Sequence, residues 1–243
     1  MKVVEHTRRP IRVEPPVSRL IVTIDGPAGT GKSSVARALA GRLGLDFLDT
    51  GAMYRAAAAI VIDHGLDRLD ESAVVEAVDR AGLHFDWTTD PPTLRSEGRS
   101  CMERLRESDV TSIVSPVAGL PRLRELLVLQ QRRIGREHPR LVTEGRDQGS
   151  VVFPDAEVKF YLDASPAVRA VRRAEQLRGM GHPADPARLE AEIRARDRSD
   201  SSRTVGPLVR PAGAIVVDTS NMTFDGVVAE LERLVRSRLA AAS

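Results

Sequence analysis

The sequence predicts an α/β fold, a P-loop-type parallel sheet of five strands with helices on its faces. Three observations predict it. Short apolar runs of strand length alternate with stretches of helical periodicity along most of the chain. The first run passes into a glycine-rich loop that opens a helix. One long irregular stretch falls between two regular blocks, where an insertion into such a sheet would sit.

The elements follow in order. Leu20–Asp25 (LIVTID) reads as a buried strand, and Lys32–Leu43 as a helix with Val35, Ala38, Leu39 and Leu43 on its apolar face. Asp46–Asp49 is a short second strand, and 51–64 a helix closed by Gly65. A third helix covers 71–81. The pattern then degrades over 83–106, where Trp87, Thr88, Thr89, Pro91, Pro92 and Gly98 suggest short extended pieces and turns. Pro121 starts a helix that runs to about 138. Strands are expected at 141–144, Val158–Asp163 and 214–218, Arg-rich helices at 166–177 and 187–198, and a closing amphipathic helix at 223–239.

Composition narrows the classes. The chain has 243 residues, 42% of them hydrophobic and 29% charged, enough for one cored domain with an insertion. One cysteine, Cys101, leaves no disulfide framework and fits a reducing compartment, so a cytoplasmic location is expected. No apolar run reaches the roughly 18 residues of a membrane span, and no membrane partner is expected. Residues 1–18 have no apolar signal core and read as a flexible extension. The formal charge is +2, compatible with a basic cleft for an anion but no argument for nucleic acid. Aromatics are only 3%, too few for a single-strand stacking surface. Lysine occurs only at Lys2, Lys32 and Lys159, so a lysine inside a motif is informative.

Gly26-Pro27-Ala28-Gly29-Thr30-Gly31-Lys32-Ser33 matches G-x-x-x-x-G-K-[ST] between a predicted strand and helix. Glycines let the backbone curl so that successive N–H groups face phosphate oxygens, and the helix N-terminus adds its dipole. Lys32 is expected on the β- and γ-phosphates of ATP, and the Ser33 hydroxyl on Mg²⁺. With glycine near 7% of residues, a chance match is well under about 1%. The chain has no N-K-x-D guanine reader and no L-S-G-G transporter signature, which leaves a kinase of small molecules.

Further clusters lie just after predicted strands or on facing helices, where a doubly wound sheet opens its ligand crevice. They are Asp49-Thr50-Gly51-Ala52-Met53-Tyr54-Arg55, Gly145-Arg146-Asp147, then Arg169, Arg172 and Arg173, and finally 194–203, with Arg194, Arg196, Arg198, Asp200 and Arg203. Two phosphate-bearing substrates crowd negative charge, which guanidinium forks neutralise bidentately. The plainer alternative is that Arg196, Asp197, Asp200 and Arg203 form i,i+3 and i,i+4 pairs on a solvated helix, worth a few tenths of a kcal/mol each.

Taken together, D-G-P-A-G-T-G-K-S, D-T-G-A-M-Y-R, G-R-D-Q-G-S-V-V-F-P-D-A and R-D-R-S-D-S-S-R, in this order, resemble the bacterial cytidylate kinases over about 20–239. The resemblance implies ATP-dependent phosphorylation of CMP or dCMP. It implies a core over 19–82 and 120–243, a monophosphate-binding insertion over 83–119 and a helical lid over about 169–203. ATP would contact residues 26–33 together with Ser34 and Arg172. CMP would contact Thr50, Tyr54, Arg55, Ser115, Arg124, Arg146, Asp147, Arg196, Asp200 and Arg203. Tyr54, Arg55 and Arg146 would meet the acceptor phosphate, and Arg196 and Arg203 would bridge acceptor and donor. Lys32, Arg146, Arg196 and Arg203 would carry catalysis, Asp200 the sugar hydroxyls, and Ser115, Arg124 and Asp147 the cytosine. Gln148, where the family has an apolar residue, and Ser199, where it often has arginine, depart from the pattern. A monomer is expected. A different class, an ATP-dependent RNA-binding module, would instead show salt-sensitive RNA affinity and no ADP release with CMP.

Overall fold

The computed structural model describes residues 19–179 and 181–241. The expectation of a flexible extension at 1–18 falls outside them.

Strand β1 (Leu20–Asp25) is buried at every position and lies at the centre of a five-stranded sheet. It pairs in parallel with β6 (Arg140–Gly145) on one side and β7 (Val158–Asp163) on the other. Strand β2 (Asp46–Asp49) adds outside β6, and β8 (Ile215–Asp218) outside β7, both in parallel. The period of two sorts β1 between two cores. Leu20, Val22 and Ile24 pack with Val35 and Leu39 of α1 (Lys32–Leu43) and Leu231 and Val235 of α8 (Phe224–Ala240). Ile21 faces the opposite core, with Met53 of α2 (Thr50–Asp63) and Leu123 and Leu127 of α5 (Pro121–Glu137). Helix α3 (Glu71–Arg80) packs against α2 and α5. Among the described residues no helix is long and apolar enough to cross a membrane.

Every strand and helix expected outside the irregular stretch is present, with ends shifted by a few residues. Helix α2 starts at Thr50 because the Asp49 side chain caps it, accepting from Ala52 N at 2.9 Å. The irregular stretch is more ordered than its composition suggests. Strands β3 (His84–Asp86), β4 (Thr93–Ser96) and β5 (Arg99–Ser100) form a small antiparallel sheet. A 3₁₀ turn at Arg104–Arg106 leads into α4 (Ser108–Val117). Sequence reading misses α4 because Ser, Thr, Val and Pro are weak helix formers. Tertiary contact supplies what propensity lacks: Val110, Val114 and Val117, at i, i+4 and i+7, are buried, and α4 packs on α2.

Three features of the fold place the site. The phosphate loop follows β1, the Arg146–Asp147 segment follows β6, and a π-helical turn (Gln148–Val152) continues from it. Helices α6 (Pro166–Gly179) and α7 (Pro186–Ser201) then pack on each other as a hairpin after β7.

Candidate active site

The donor side is made by backbone. Gly29 and Gly31 take the left-handed region, with φ of 81° and 83°. Gly26 has φ 148°, and a side chain there would collide with the Leu162 carbonyl of the neighbouring strand. Helix α1 begins at Lys32 with no side-chain cap, so its first amides stay available to an anion. The Lys32 ammonium is buried and folds back onto its own loop, donating to Pro27 O at 2.7 Å and more weakly to Thr30 Oγ1 at 3.4 Å. Burial pushes its pKa down to about 7, and Arg146 repels it, against the pull of Glu144 and Asp25. Pro27 and Ala28 are buried, while Ser33 and Ser34 open to solvent. The Ser33 hydroxyl donates to Glu144 Oε1 at 2.7 Å. Beside it, burial and Glu144 raise the Asp49 carboxyl to about 7.

A second cluster beside the loop is made by side chains from five elements. Arg124 of α5 and Asp147 after β6 form an ion pair, both almost wholly buried, with the Arg124 guanidinium 5.1 Å over the Tyr54 ring. Arg124 Nη1 also donates to Ala118 O at 3.0 Å. Burial opposes the Arg124 charge, yet Asp147, Tyr54 and Asp200 hold its pKa above the ordinary value. Asp200 of α7, 1% exposed, accepts from Arg146 Nε at 2.9 Å and from Arg203 Nη2 at 2.6 Å. Burial alone would raise its carboxyl, but Arg146 and Arg203 more than offset that and lower it. Ser115 of α4 donates to Asp200 Oδ1 at 3.3 Å, inside the same cluster. Arg196 reaches the same place. Burial, then repulsion from Arg146, lowers its pKa to about 10. Arg55 is lowered too, by burial first and by Arg146 and Arg173 nearby, against Asp49 and Glu144. Among the described residues, Nε of Arg124, Arg196 and Arg203 is buried with no hydrogen-bond partner. Three unspent donors amid crowded guanidiniums suit a polyanionic ligand rich in acceptors.

Two expected residues have other work in this structure. Thr50 Oγ1 donates to Glu144 O at 2.6 Å and so ties α2 to β6. Arg172 Nη1 and Nη2 donate to Thr219 Oγ1 and Thr219 O beyond β8. The solvated-helix alternative does not fit Arg196, Asp200 or Arg203, which are shielded, whereas Arg194 is exposed and pairs with half-buried Glu190. Of the two departures, Ser199 is exposed, while the Gln148 side chain is buried between Thr143 Oγ1 at 2.9 Å and Gln131 Oε1 at 3.0 Å.

Sequence reading gave no role to three contributors, Glu144, Gly206 and Asp25, and placed Arg169 in a crevice cluster without its partners. Glu144 holds Ser33. Arg169 gives Nη1 to Ala28 O at 2.8 Å and forms a two-point pair with Asp197, at 3.1 and 2.6 Å, linking the phosphate loop to α7. Gly206, at φ 60°, lies against the Arg124–Asp147 pair so closely that a side chain would collide with both. Asp25 has both oxygens on the turn after Asp147. For Asp25 and Glu144 a signal exists, a carboxylate closing an otherwise apolar strand. Nothing local marks Gly206.

The cytidylate kinase family model matches residues 22–237 of this chain. The chain is similar to a cytidylate kinase of Rhodococcus jostii (strain RHA1), 46% identical over 227 residues, covering 92% of this chain and 98% of the relative. It is 47% identical over 224 residues to the cytidylate kinase of Rhodococcus opacus (strain B4), covering 91% and 96%. It is 43% identical over 225 residues to that of Nitratidesulfovibrio vulgaris (strain DP4), covering 92% and 95%. With a phosphate loop and an arginine-rich cluster after adjacent strands of its sheet, the chain belongs to the cytidylate kinase family.

Proposed function

We propose that this chain transfers the γ-phosphoryl group of ATP to the 5′-phosphate of CMP or dCMP, giving ADP and the diphosphate. The observation that carries the reading is the buried Arg124–Asp147 pair beside Tyr54, one strand away from the phosphate loop. Cytosine offers an N4 amine donor beside the N3 and O2 acceptors. Asp147 accepts from the amine, and Arg124, with Nε unspent, donates to the acceptors. Uracil reverses the donor–acceptor pattern and leaves both groups mispaired, which a buried polar site rejects strongly.

The acceptor phosphate competes for the guanidiniums of Arg146 and Arg203, now held by Asp200, and Arg55 and Arg196 add charge beside them. Once released, the Asp200 carboxylate is free for the sugar hydroxyls, with Ser115 alongside. On the donor side the loop amides take the triphosphate, and Lys32 leaves Pro27 O for it. The acceptor phosphate is already an anion, so no covalent intermediate and no strong base is required. The barrier is lowered by positioning and by fixed positive charge around the group in flight. The hairpin of α6 and α7 brings Arg196 and Arg203 over both substrates and excludes water, which limits wasteful hydrolysis.

Hard oxygen donors suit Mg²⁺, and Ser33 Oγ with the Glu144 carboxylate beside it is such a set. When bound with ATP, the ion supplies neutralisation of the β- and γ-oxygens.

A coupled ADP-release assay across CMP, dCMP, UMP, AMP and GMP tests the reading. CMP and dCMP are expected to dominate kcat/KM. UMP turned over as well as CMP would refute the base assignment, and no ADP release with any monophosphate would refute the function.

A further inference from the structure

Asp25 closes β1 and precedes the first glycine of the phosphate loop, and its side chain is 0% exposed. Its two oxygens take different partners: Oδ1 accepts from Gln148 N and Oδ2 from Gly149 N, each at 2.8 Å. These are first-turn amides of the π-helical turn that follows Asp147, where a helix leaves its N–H groups without internal acceptors. The Gln148 side chain is pinned as well, by Thr143 and Gln131. Arg146 and Asp147 are therefore delivered from a segment whose next two amides are anchored to the residue before the phosphate loop.

We propose that Asp25 is a positioning residue that locks the acceptor-recognition turn to the donor loop, so that base and phosphoryl group are held in one register. This rests on the reading of Asp147 and Arg146 as acceptor contacts. A carboxylate is what the geometry requires, because two converging N–H donors need two acceptors. An amide offers one acceptor and points N–H at N–H with the other arm. The charge is retained at a cost. Burial pushes the Asp25 carboxyl up to about 7, and Asp147 adds to the rise, against the two amides and Lys32. The charged and titratable groups facing it are Lys32 on α1, Asp147 on the turn and Tyr161 on β7. The folded pKa lies above the ordinary 3.8, so the ionised carboxylate is present above pH 7 and is lost as pH falls through about 7. Losing it leaves one turn amide facing a hydroxyl.

The test is Asp25→Asn in the full chain, compared with wild type for the KM of each substrate. The expected result is a loss of about 30-fold in kcat/KM for CMP, mostly in KM, with the KM for ATP within about threefold, since small misplacements of bound groups are costly. The wild-type-to-variant ratio should also shrink between pH 8 and pH 6, a comparison in which substrate ionisation cancels. A CMP KM within twofold of wild type, or equal rises for CMP and ATP, would overturn the proposal. If Asp25→Asn does not fold, hydrogen exchange on the wild type decides. Protection of the Gln148 and Gly149 amides should fall at pH 6 relative to pH 8, and unchanged protection overturns the proposal. Absence of ADP release from wild type with CMP would instead refute the functional reading, and the exchange experiment still judges Asp25.

Discussion

The two halves of the site are built in different ways. On the proposed function, the donor half is eight consecutive residues in which the backbone would do the binding, and side chains matter chiefly where they must be absent or, at Lys32, charged. The proposed acceptor half draws Tyr54 from α2, Ser115 from α4, Arg124 from α5, Arg146 and Asp147 from the end of β6, and Asp200 with Arg203 from α7 and just beyond. Phosphate is the same in every nucleotide, so a rigid contiguous loop serves it. A base and its sugar must be told apart from near-copies, which takes side chains converging from several directions. The difference teaches where each half is vulnerable. The donor half fails by losing one charge or gaining one Cβ, the acceptor half by losing a pairing.

Four single substitutions, one of them followed by a double change, test that contrast in order of expected effect. Lys32→Met removes the point charge on the transferring group and should lower kcat by about 10³-fold with CMP, read in the ADP-release assay. Arg203→Ala should cost about 10²-fold in kcat, since its guanidinium acts on charge that develops during transfer. Turnover near wild type would remove α7 from the catalytic assembly. Asp147→Ala should lower kcat/KM for CMP by about 10- to 100-fold while the KM for ATP stays within about twofold. It also leaves Arg124 buried without its counter-charge, at about 3–5 kcal/mol of stability, seen as a lower Tm. The double change Arg124→Leu with Asp147→Leu should recover much of that Tm and none of the CMP activity. Gln148→Met should have the smallest catalytic effect. It strands Thr143 and Gln131 in the core, at about 1–3 kcal/mol by denaturant unfolding, with kcat within about threefold. Equal losses for ATP and CMP in Asp147→Ala would erase the contrast between the halves.

The irregular insertion marks where sequence reasoning thins out. The small sheet and α4 are held by contacts with α2, and a window over Ser108–Val117 sees only weak helix formers and a proline. The same holds for Ser115, whose neighbours carry little pattern and whose place beside Asp200 and Arg203 depends on how α4 docks. In 194–203 the one-dimensional view is ambiguous in kind. Arg194 and Arg203 look alike in the sequence, and only the packing of α7 against the rest of the site decides that one is a solvated surface charge and the other a buried donor.

What the sequence determined by itself is everything local. The strand–loop–helix around Gly26 to Ser33, the alternation that makes a parallel sheet and the motifs that identify the family rest on backbone propensity and on residues adjacent in the chain. Only the tertiary structure decided the distant pairings: Asp200 with Arg146, Arg124 with Asp147 under Gly206, Arg169 from loop to α7, and Asp25 on the turn amides. The physical reason is that a buried charge takes its partner from whatever the fold brings within about 3 Å; spacing along the chain can offer a local partner, as Arg203 is for Asp200, but it does not bury that pair or bring Arg146 to it.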